Sequence, residues 1–348
     1  MTPHPHPPAD AERFRVDLLA WYDVHKRDLP WRVSTGFPDP YHVLLSETML
    51  QQTQVATVID FFHRFLAELP TLADLAAAEE QTVLRLWQGL GYYRRARNLH
   101  AAAKAIVADH GGRVPSDVQT LLTLLGVGRY TAGAIASLAF GTRAPILDGN
   151  VQRVLCRLEA ITDDPRQTPV QKRLWARAEE LLPPEPGERV ADVNSALMEL
   201  GATVCQPKNP QCLICPVRPH CKAQAAGIQA TIPPPKQAKA TPLIDRDLWC
   251  RHHAGRYEIE QRGPDGRWPN LWQFPVRDPV EDPGDAEPLG EIAHGLTHRR
   301  YRFRLLHVEG DGTGDYRTLD EIDALPKPKP HVKVLSMLRS RDEPATPA

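Results

Sequence analysis

The chain has 348 residues, too many for one ordinary core of about 100–200, and its 42% hydrophobic and 24% charged content excludes a wholly disordered polypeptide. The net charge is −1, with 24 Lys+Arg against 24 Asp+Glu in residues 1–225 and 18 against 19 beyond them, so neither half is a simple polybasic nucleic-acid binder. No apolar run approaches the roughly 18 residues of a membrane helix, and Met1–Pro8 lacks the basic and apolar regions of a secretory signal. The expectation is a cytoplasmic protein with no membrane association.

Helical apolar spacing predicts helices over 13–22, 43–66, 72–90, 96–110, 118–125, 131–140, 151–160, 171–182 and 193–204. Pro and Gly punctuate these segments at Pro70, Gly111-Gly112, Pro115, Gly126, Gly128, Pro145 and Pro183-Pro184. Residues 1–12 read as a disordered tail. The texture changes at Ile232-Pro233-Pro234-Pro235-Lys236, a stiff solvated linker. Beyond it, short strands are predicted over 248–251, 257–261, 271–274 and 301–308, with a short helix over 332–338. An all-α domain tethered to a smaller α+β domain follows.

Four of the six cysteines crowd into one segment, Cys205-x6-Cys212-x2-Cys215-x5-Cys221. With no export signal, a metal site is favoured over disulfides. Structural zinc usually takes two Cys-x2-Cys pairs, and only one is present, so the spacing favours a single compact iron–sulfur cluster with zinc as the alternative. Cys156 and Cys250 lie outside the pattern and read as buried apolar thiols.

Leu124-Leu125-Gly126-Val127-Gly128-Arg129-Tyr130 places two glycines around one apolar residue between helical stretches. Such a turn can aim backbone N–H groups at an anion, or it can simply connect two helices. Two carboxylates also stand out. Glu47 shares a helical face with Val43, Leu44 and Leu50, where desolvation would keep it protonated; the alternative is a glutamate at the helix edge reaching solvent. Asp148, in Leu147-Asp148-Gly149-Asn150, precedes a helix and is a natural N-cap.

These motifs together resemble the helix–hairpin–helix DNA glycosylase superfamily, and within it the MutY-type adenine DNA glycosylases. The resemblance rests on Leu29-Pro30-Trp31-Arg32, on Ser46-Glu47-Thr48-Met49-Leu50-Gln51-Gln52-Thr53-Gln54, on Gly89-Leu90-Gly91-Tyr92-Tyr93, on the 126–133 turn, on Asp148, on the four-cysteine loop and on Leu271-Trp272-Gln273-Phe274-Pro275. It implies an all-α helix–hairpin–helix glycosylase domain over 13–228 with an iron–sulfur loop, a linker over 229–242, and an α+β Nudix-like recognition domain over 243–348. Leu125 departs from the family's usual hairpin proline. Thr297-His298 looks like the family's Ser-His loop, with the hydroxyl retained.

The resemblance assigns roles. Glu47 would protonate adenine N7, Asp148 would steady the cationic sugar, and Tyr130 would stand where lyase relatives carry the lysine that forms a Schiff base. Asp148 would combine capping with catalysis, the cap N–H bonds keeping it ionised. Leu29, Trp31 and Arg32 would line the adenine pocket. Gln51, Gln52, Thr53, Leu90 and Tyr92 would enter the duplex, Gly126 and Gly128 would meet phosphate, and Arg94, Arg95 and Arg97 are further phosphate candidates. Thr297 and His298 would contact 8-oxoguanine. No Nudix acidic box is found in residues 240–348, so recognition is expected there rather than phosphohydrolysis. Cys205, Cys212, Cys215 and Cys221 would hold one 4Fe–4S cluster.

The implied protein is a monomeric, monofunctional, nucleoid-associated enzyme of base excision repair. It would remove adenine from double-stranded DNA containing A:8-oxoguanine or A:G mispairs. The rivals are an endonuclease III-like glycosylase/lyase for oxidised pyrimidines, disfavoured by the missing lysine, and a non-catalytic DNA-binding iron–sulfur protein, disfavoured by the two carboxylates.

Overall fold

A computed structural model describes residues 9–235 and 240–342. Most of the expected tail, four linker residues (236–239) and the last six residues lie outside the described residues. The chain packs as two compact units: residues 1–76 with 98–237, and residues 77–97 with 238–348. By their contacts, residues 77–97 group with the C-terminal unit, although in sequence they lie within the expected helical domain.

The helices are α1 (Ala9–His25), α2 (Pro40–Leu50), α3 (Val55–Glu68), α4 (Leu72–Ala77), α5 (Glu80–Leu86), α6 (Arg94–Asp109), α7 (Val118–Leu121), α8 (Arg129–Phe140), α9 (Gly149–Leu158), α10 (Thr168–Glu180), α11 (Glu188–Thr203) and α12 (Lys222–Ala225). Residues 9–12, read as tail, form the first turn of α1, where Ala11 is fully buried. The single stretch expected over 43–66 is two helices. α2 is buried from Tyr41 and Val43 through Met49, whereas α3 buries only Val58, Phe62 and Phe65. The polar run Gln51–Gln54 supplies the break between them, with Gln52 in the left-handed region at φ 61°.

α11 is the central post of the first unit, packing on α1, α8 and α9. Val190, Val193, Ala196, Leu197 and Leu200 join Leu18, Val154 and Leu155 in one buried cluster. Burial of such side chains stabilises by about 1.5–3 kcal/mol each, before the cost of ordering them. Two glycines set the geometry. Gly126 adopts φ +83°, and a Cβ there would fall 2.6 Å from Asn98. A Cβ on Gly133 would sit 2.5 Å from the carbonyl oxygen of Pro145, so only glycine lets α8 lie against the strand-like run into Asp148.

In the second unit the strands are β1 (Leu243–His253), β2 (Arg256–Gln261), β3 (Trp272–Gln273), β4 (Val276–Arg277), β5 (Glu287–Leu296), β6 (Arg299–Glu309) and β7 (Asp315–Arg317), with helices α13 (Leu319–Asp323) and α14 (Lys329–Asp342). The sheet order is β3-β2-β1-β6-β5, with β4 on β1 and β7 on β2. β1 and β6 run parallel, matching Leu248 to Leu305. β5 went unpredicted because only Ile292 is buried along it, leaving no alternation to read. Leu248, Ile259, Phe274, Phe303, Leu305 and Val334 form the core of this unit. The segment 77–97 is tied into it: Tyr93 donates to the Lys327 carbonyl at 3.0 Å, and Gln88 Oε1 accepts from the Lys327 N–H at 2.9 Å.

Candidate active site

A cavity of about 690 Å³ in the first unit is lined by Glu47, Tyr130 and Asp148, together with Leu29, Trp31 and Arg32. α2 supplies Glu47, the start of α8 supplies Tyr130, and the cap of α9 supplies Asp148. Glu47 is only 4% exposed. Of its two sequence readings, the buried one is what the structure shows. Burial pushes its carboxyl up to about 7, with the nearby Asp148 adding to the rise and Tyr130 and Arg32 opposing it. Tyr130 donates its phenol to Glu47 Oε2 at 2.5 Å. Burial, and then the Glu47 carboxylate, raise the phenol well above its ordinary value, so it is a neutral donor.

Asp148 caps α9 as expected: its Oδ1 accepts from the Val151 N–H at 2.7 Å, and Oδ2 accepts from Asn150 Nδ2 at 2.9 Å. Capping and a place in the cavity do coexist. The cap bonds do work to keep Asp148 ionised, as expected, but they are opposed. Burial outweighs them and Asp148 moves upward, although those donors and Arg153 pull the other way. Arg153 is itself anchored, donating to Asn150 Oδ1 at 2.8 Å and to the Cys205 carbonyl at 2.8 Å. The Asp148 turn is thereby braced against the cysteine loop.

Leu29 and Trp31 are both buried at the cavity wall, and Trp31 meets Phe62 edge-on at 5.4 Å. Arg32 reaches Glu199, a residue the sequence reading missed, at 2.8 Å. Arg27, also missed, donates to Glu199 through Nε at 2.5 Å and Nη2 at 3.1 Å. Burial works to raise Glu199, but the two arginines prevail and hold it below the usual carboxylate range. The cavity thus carries one carboxylate kept charged and one kept protonated up to neutral pH. The one linear signal for Glu199 is a charge inside the apolar run Ala196–Leu200; its partner Arg27 lies 172 residues away. Lys26 also lines the cavity and stands over the Tyr22 ring at 5.5 Å.

Gln51, Gln52 and Thr53 form the rim of this cavity, with Gln52 exposed. Gly126 and Gly128 bracket the hairpin as predicted, and Gly128 is the N-cap of α8 with extended backbone. Leu125 stands 57% exposed between the helices. In the second unit Leu90 is buried, whereas Tyr92 is 49% exposed with φ 47°. Tyr92 and Thr297 share a hydrogen bond of 2.5 Å, and Thr297 and His298 form the exposed β5–β6 turn. Among the three arginines proposed for phosphate, Arg95 is buried against Trp87 and Tyr92, and Arg97 donates to the Pro269 carbonyl at 3.0 Å. Arg94 alone of the three is exposed.

The four cysteines Cys205, Cys212, Cys215 and Cys221 are free thiols around one small recess. Arg157, 2% exposed, donates to Cys205 Sγ at 3.3 Å and to the Gln206 carbonyl at 2.7 Å. Arg157 thus sets a buried cation beside the Cys205 sulfur. Among the described residues no three His, Cys, Asp or Glu side chains are grouped to hold a single metal ion. Cys156 and Cys250 are both buried, as expected.

Residues 45–180 match the HhH-GPD superfamily of base excision DNA repair proteins, and residues 248–337 match the NUDIX domain. The chain is similar to the adenine DNA glycosylase of Mus musculus, at 51% identity over 221 residues, covering 62% of this chain and 42% of that one. It therefore spans less than half the length of that relative. The adenine DNA glycosylase of Mycobacterium tuberculosis (strain CDC 1551 / Oshkosh) is 41% identical over 250 residues, covering 71% of this chain and 80% of that one. A solved thermostable thymine-DNA glycosylase superposes with a TM-score of 0.54 at 29% identity, over 62% of this chain and 97% of that one. With likeness of this depth across four-fifths of a bacterial relative, the chain belongs to the adenine DNA glycosylase family.

Proposed function

We propose that the protein is a monofunctional adenine DNA glycosylase of base excision repair, acting on adenine opposite 8-oxoguanine or guanine in double-stranded DNA as a monomer in the compartment of the chromosome. The observation that carries the reading is the pairing of Glu47, buried and protonated up to about pH 7, with Tyr130 and Asp148 at one cavity.

Hydrolysis needs a proton on the leaving base and stabilisation of a cationic sugar. Glu47 gives its proton to adenine N7, and the C1′–N9 bond breaks with its electron pair leaving on the base. Of two neighbouring carboxyls that cannot both ionise cheaply, the one with donors keeps the charge. Asp148 has the Val151 N–H and Asn150 Nδ2, so it faces the developing cation as a carboxylate. Glu47, now ionised, takes a proton from water as the oxygen adds to C1′. Tyr130 holds Glu47 Oε2, which leaves Oε1 for the transferred proton. Arg27, Arg32 and Glu199 form a polar wall able to hydrogen-bond an extruded base.

The residues fit one 4Fe–4S cluster on Cys205, Cys212, Cys215 and Cys221. When bound, that cluster supplies a cross-link holding the 205–221 loop, and the hydrolytic steps above do not involve it. Tyr92 and Thr297 support contact with the strand opposite the adenine. A duplex carrying A opposite 8-oxoguanine, assayed with and without hot alkali, tests the reading: base loss with nicks only after alkali is expected, and intact adenine would refute it.

A further inference from the structure

The turn that carries Tyr92 is strained and is held from two sides. Gly89, Gly91 and Tyr92 have φ of 112°, 72° and 47°, so three of the four residues in the 89–92 turn have left-handed backbone. Glycine takes such angles freely. A tyrosine there is strained, and the conformation persists only where the surroundings impose it. From within, Trp87 Nε1 donates to the Gly91 carbonyl and Arg95 Nη2 to the Leu90 carbonyl, both at 3.1 Å. From outside, a single residue grips both flanks. The Lys327 N–H donates to Gln88 Oε1 at 2.9 Å, just before the turn, and the Lys327 carbonyl accepts from the Tyr93 hydroxyl at 3.0 Å, just after it.

Lys327 is itself fixed. Its side chain is fully buried, yet it ends in an ammonium. Nζ donates to the Leu325 carbonyl at 2.8 Å and to the Asp323 carbonyl at 2.9 Å, with the Asp323 carboxylate at 3.8 Å. α13 ends at Asp323, and a helix end leaves carbonyls for such a donor to take. Burial lowers the amine to about 8 against the pull of Asp323, with Arg339 adding to the fall, so it is charged at neutral pH. The Pro326 carbonyl accepts from the Trp272 N–H at 2.9 Å, which ties the same turn to β3. Pro326 and Pro328 stiffen the backbone on either side of Lys327. A buried ammonium is costly, and an apolar side chain of equal length would fill the space without that cost. What the amine adds is a set of bonds that no apolar side chain makes.

We propose that Lys327 is a positioning residue for Tyr92: its ammonium locks the 325–327 turn against the end of α13, and its peptide groups hold Gln88 and Tyr93 so that the 89–92 turn presents the Tyr92 ring ready-formed to the duplex. The inference rests on the reading that Tyr92 enters the duplex beside the extruded base. A wedge that is already ordered loses no binding energy to its own ordering. With the grip released, the turn relaxes toward ordinary backbone angles, and the ring has to be ordered again each time it enters.

The test is fluorescence anisotropy of the full chain on two duplexes. One carries, opposite 8-oxoguanine, a 2′-fluorinated adenosine, which resists cleavage because fluorine disfavours the sugar cation. The other is undamaged and is held through phosphate contacts without displacing a base. Binding is read on uncleaved DNA, so a failure of the base-removal chemistry leaves these readings in place. K327M is expected to weaken the first duplex by about fivefold and the second by less than about twofold, and to add nothing further in a Y92A background. A 2-aminopurine beside the target base should brighten less with K327M than with the parent, because its neighbour is unstacked less often. Equal loss on both duplexes, no loss on either, or the same loss with and without Tyr92 would overturn the inference. A Y92A variant that binds the first duplex as the parent does would overturn the wedge reading and the inference with it. Should K327M fail to fold by circular dichroism, Y93F removes one of the two grips while keeping the buried amine, and carries the same readings.

Discussion

The Tyr130 hydroxyl donates to Glu47 Oε2 at 2.5 Å, joining residues 83 positions apart. The bond opposes the burial that raises Glu47. Tyr130 thus makes the group proposed to deliver the proton a stronger acid than burial alone would leave it, and occupies one of its two carboxyl oxygens.

Glu47→Gln keeps the shape and an acceptor for Tyr130 but has no proton to give. Single-turnover adenine release is expected to fall by about 10²–10⁴-fold or more, with duplex affinity nearly intact by gel shift. Near-normal release by the variant would remove Glu47 from the mechanism.

The same substitution should stabilise the fold at alkaline pH. Glu47 moves from an ordinary 4.5 to about 7 in the folded chain, so its protonated form favours folding below pH 4.5 and that contribution is lost as pH rises through 7. A shift of that size corresponds to roughly 3 kcal/mol. At pH 8 Glu47→Gln should melt several degrees above the parent, and at pH 4 the gap should close. An equal gap at both pH values would contradict the assignment.

The rate of adenine release should be level on the acidic side of neutrality and fall about tenfold per pH unit above about 7, as the acid loses its proton. Tyr130→Phe removes a group that lowers Glu47, so it should move this limb to higher pH while reducing the plateau rate. A limb that stays in place would show that the hydrogen bond does not tune the acid.

Strand scission should lag far behind base loss, because Tyr130 offers no amine. Lys26 is the lysine among the residues lining the cavity, so slow borohydride-trapped adducts with an abasic site should map to it and vanish in Lys26→Gln. Trapping as fast as adenine release would point instead to a true lyase.

Purified protein should be brown, with iron and sulfide in about a 1:1 ratio. Arg157→Gln, which removes the cation beside Cys205 Sγ, should speed cluster loss measured as fading of the visible absorbance. Colourless protein with stoichiometric zinc would defeat the cluster assignment.

Thr297→Val breaks the bond to Tyr92 and should erode the preference for 8-oxoguanine over guanine opposite adenine, leaving release from the better substrate within a few-fold. Truncation near residue 230 is a poorer test. Gln81 and Arg97 bond carbonyls of Asn270 and Pro269, so cutting away the C-terminal residues strips the packing of segment 77–97.

The linear chain determined what depends on local spacing and chemical type. Four cysteines within seventeen residues, two glycines around Val127, Asp148 ahead of a helix and the Pro/Lys linker each state their chemistry over a few neighbouring positions. Tertiary structure decided what depends on distance in space. Whether Glu47 was buried or at a helix edge turned on α8 packing beside α2, which no periodicity encodes. Arg27 with Glu199, Tyr92 with Thr297, and the grouping of residues 77–97 with the C-terminal sheet all join segments more than 150 residues apart. The break at Gln51–Gln54 was hidden for a related reason. Apolar side chains on both sides fit one helical period, and only the packed structure shows that they face different neighbours. Desolvation belongs to this second class as well. It arises from every element that excludes water from a group, so the protonation of Glu47 and the upward shift of Asp148 are properties of the assembled cavity rather than of their motifs.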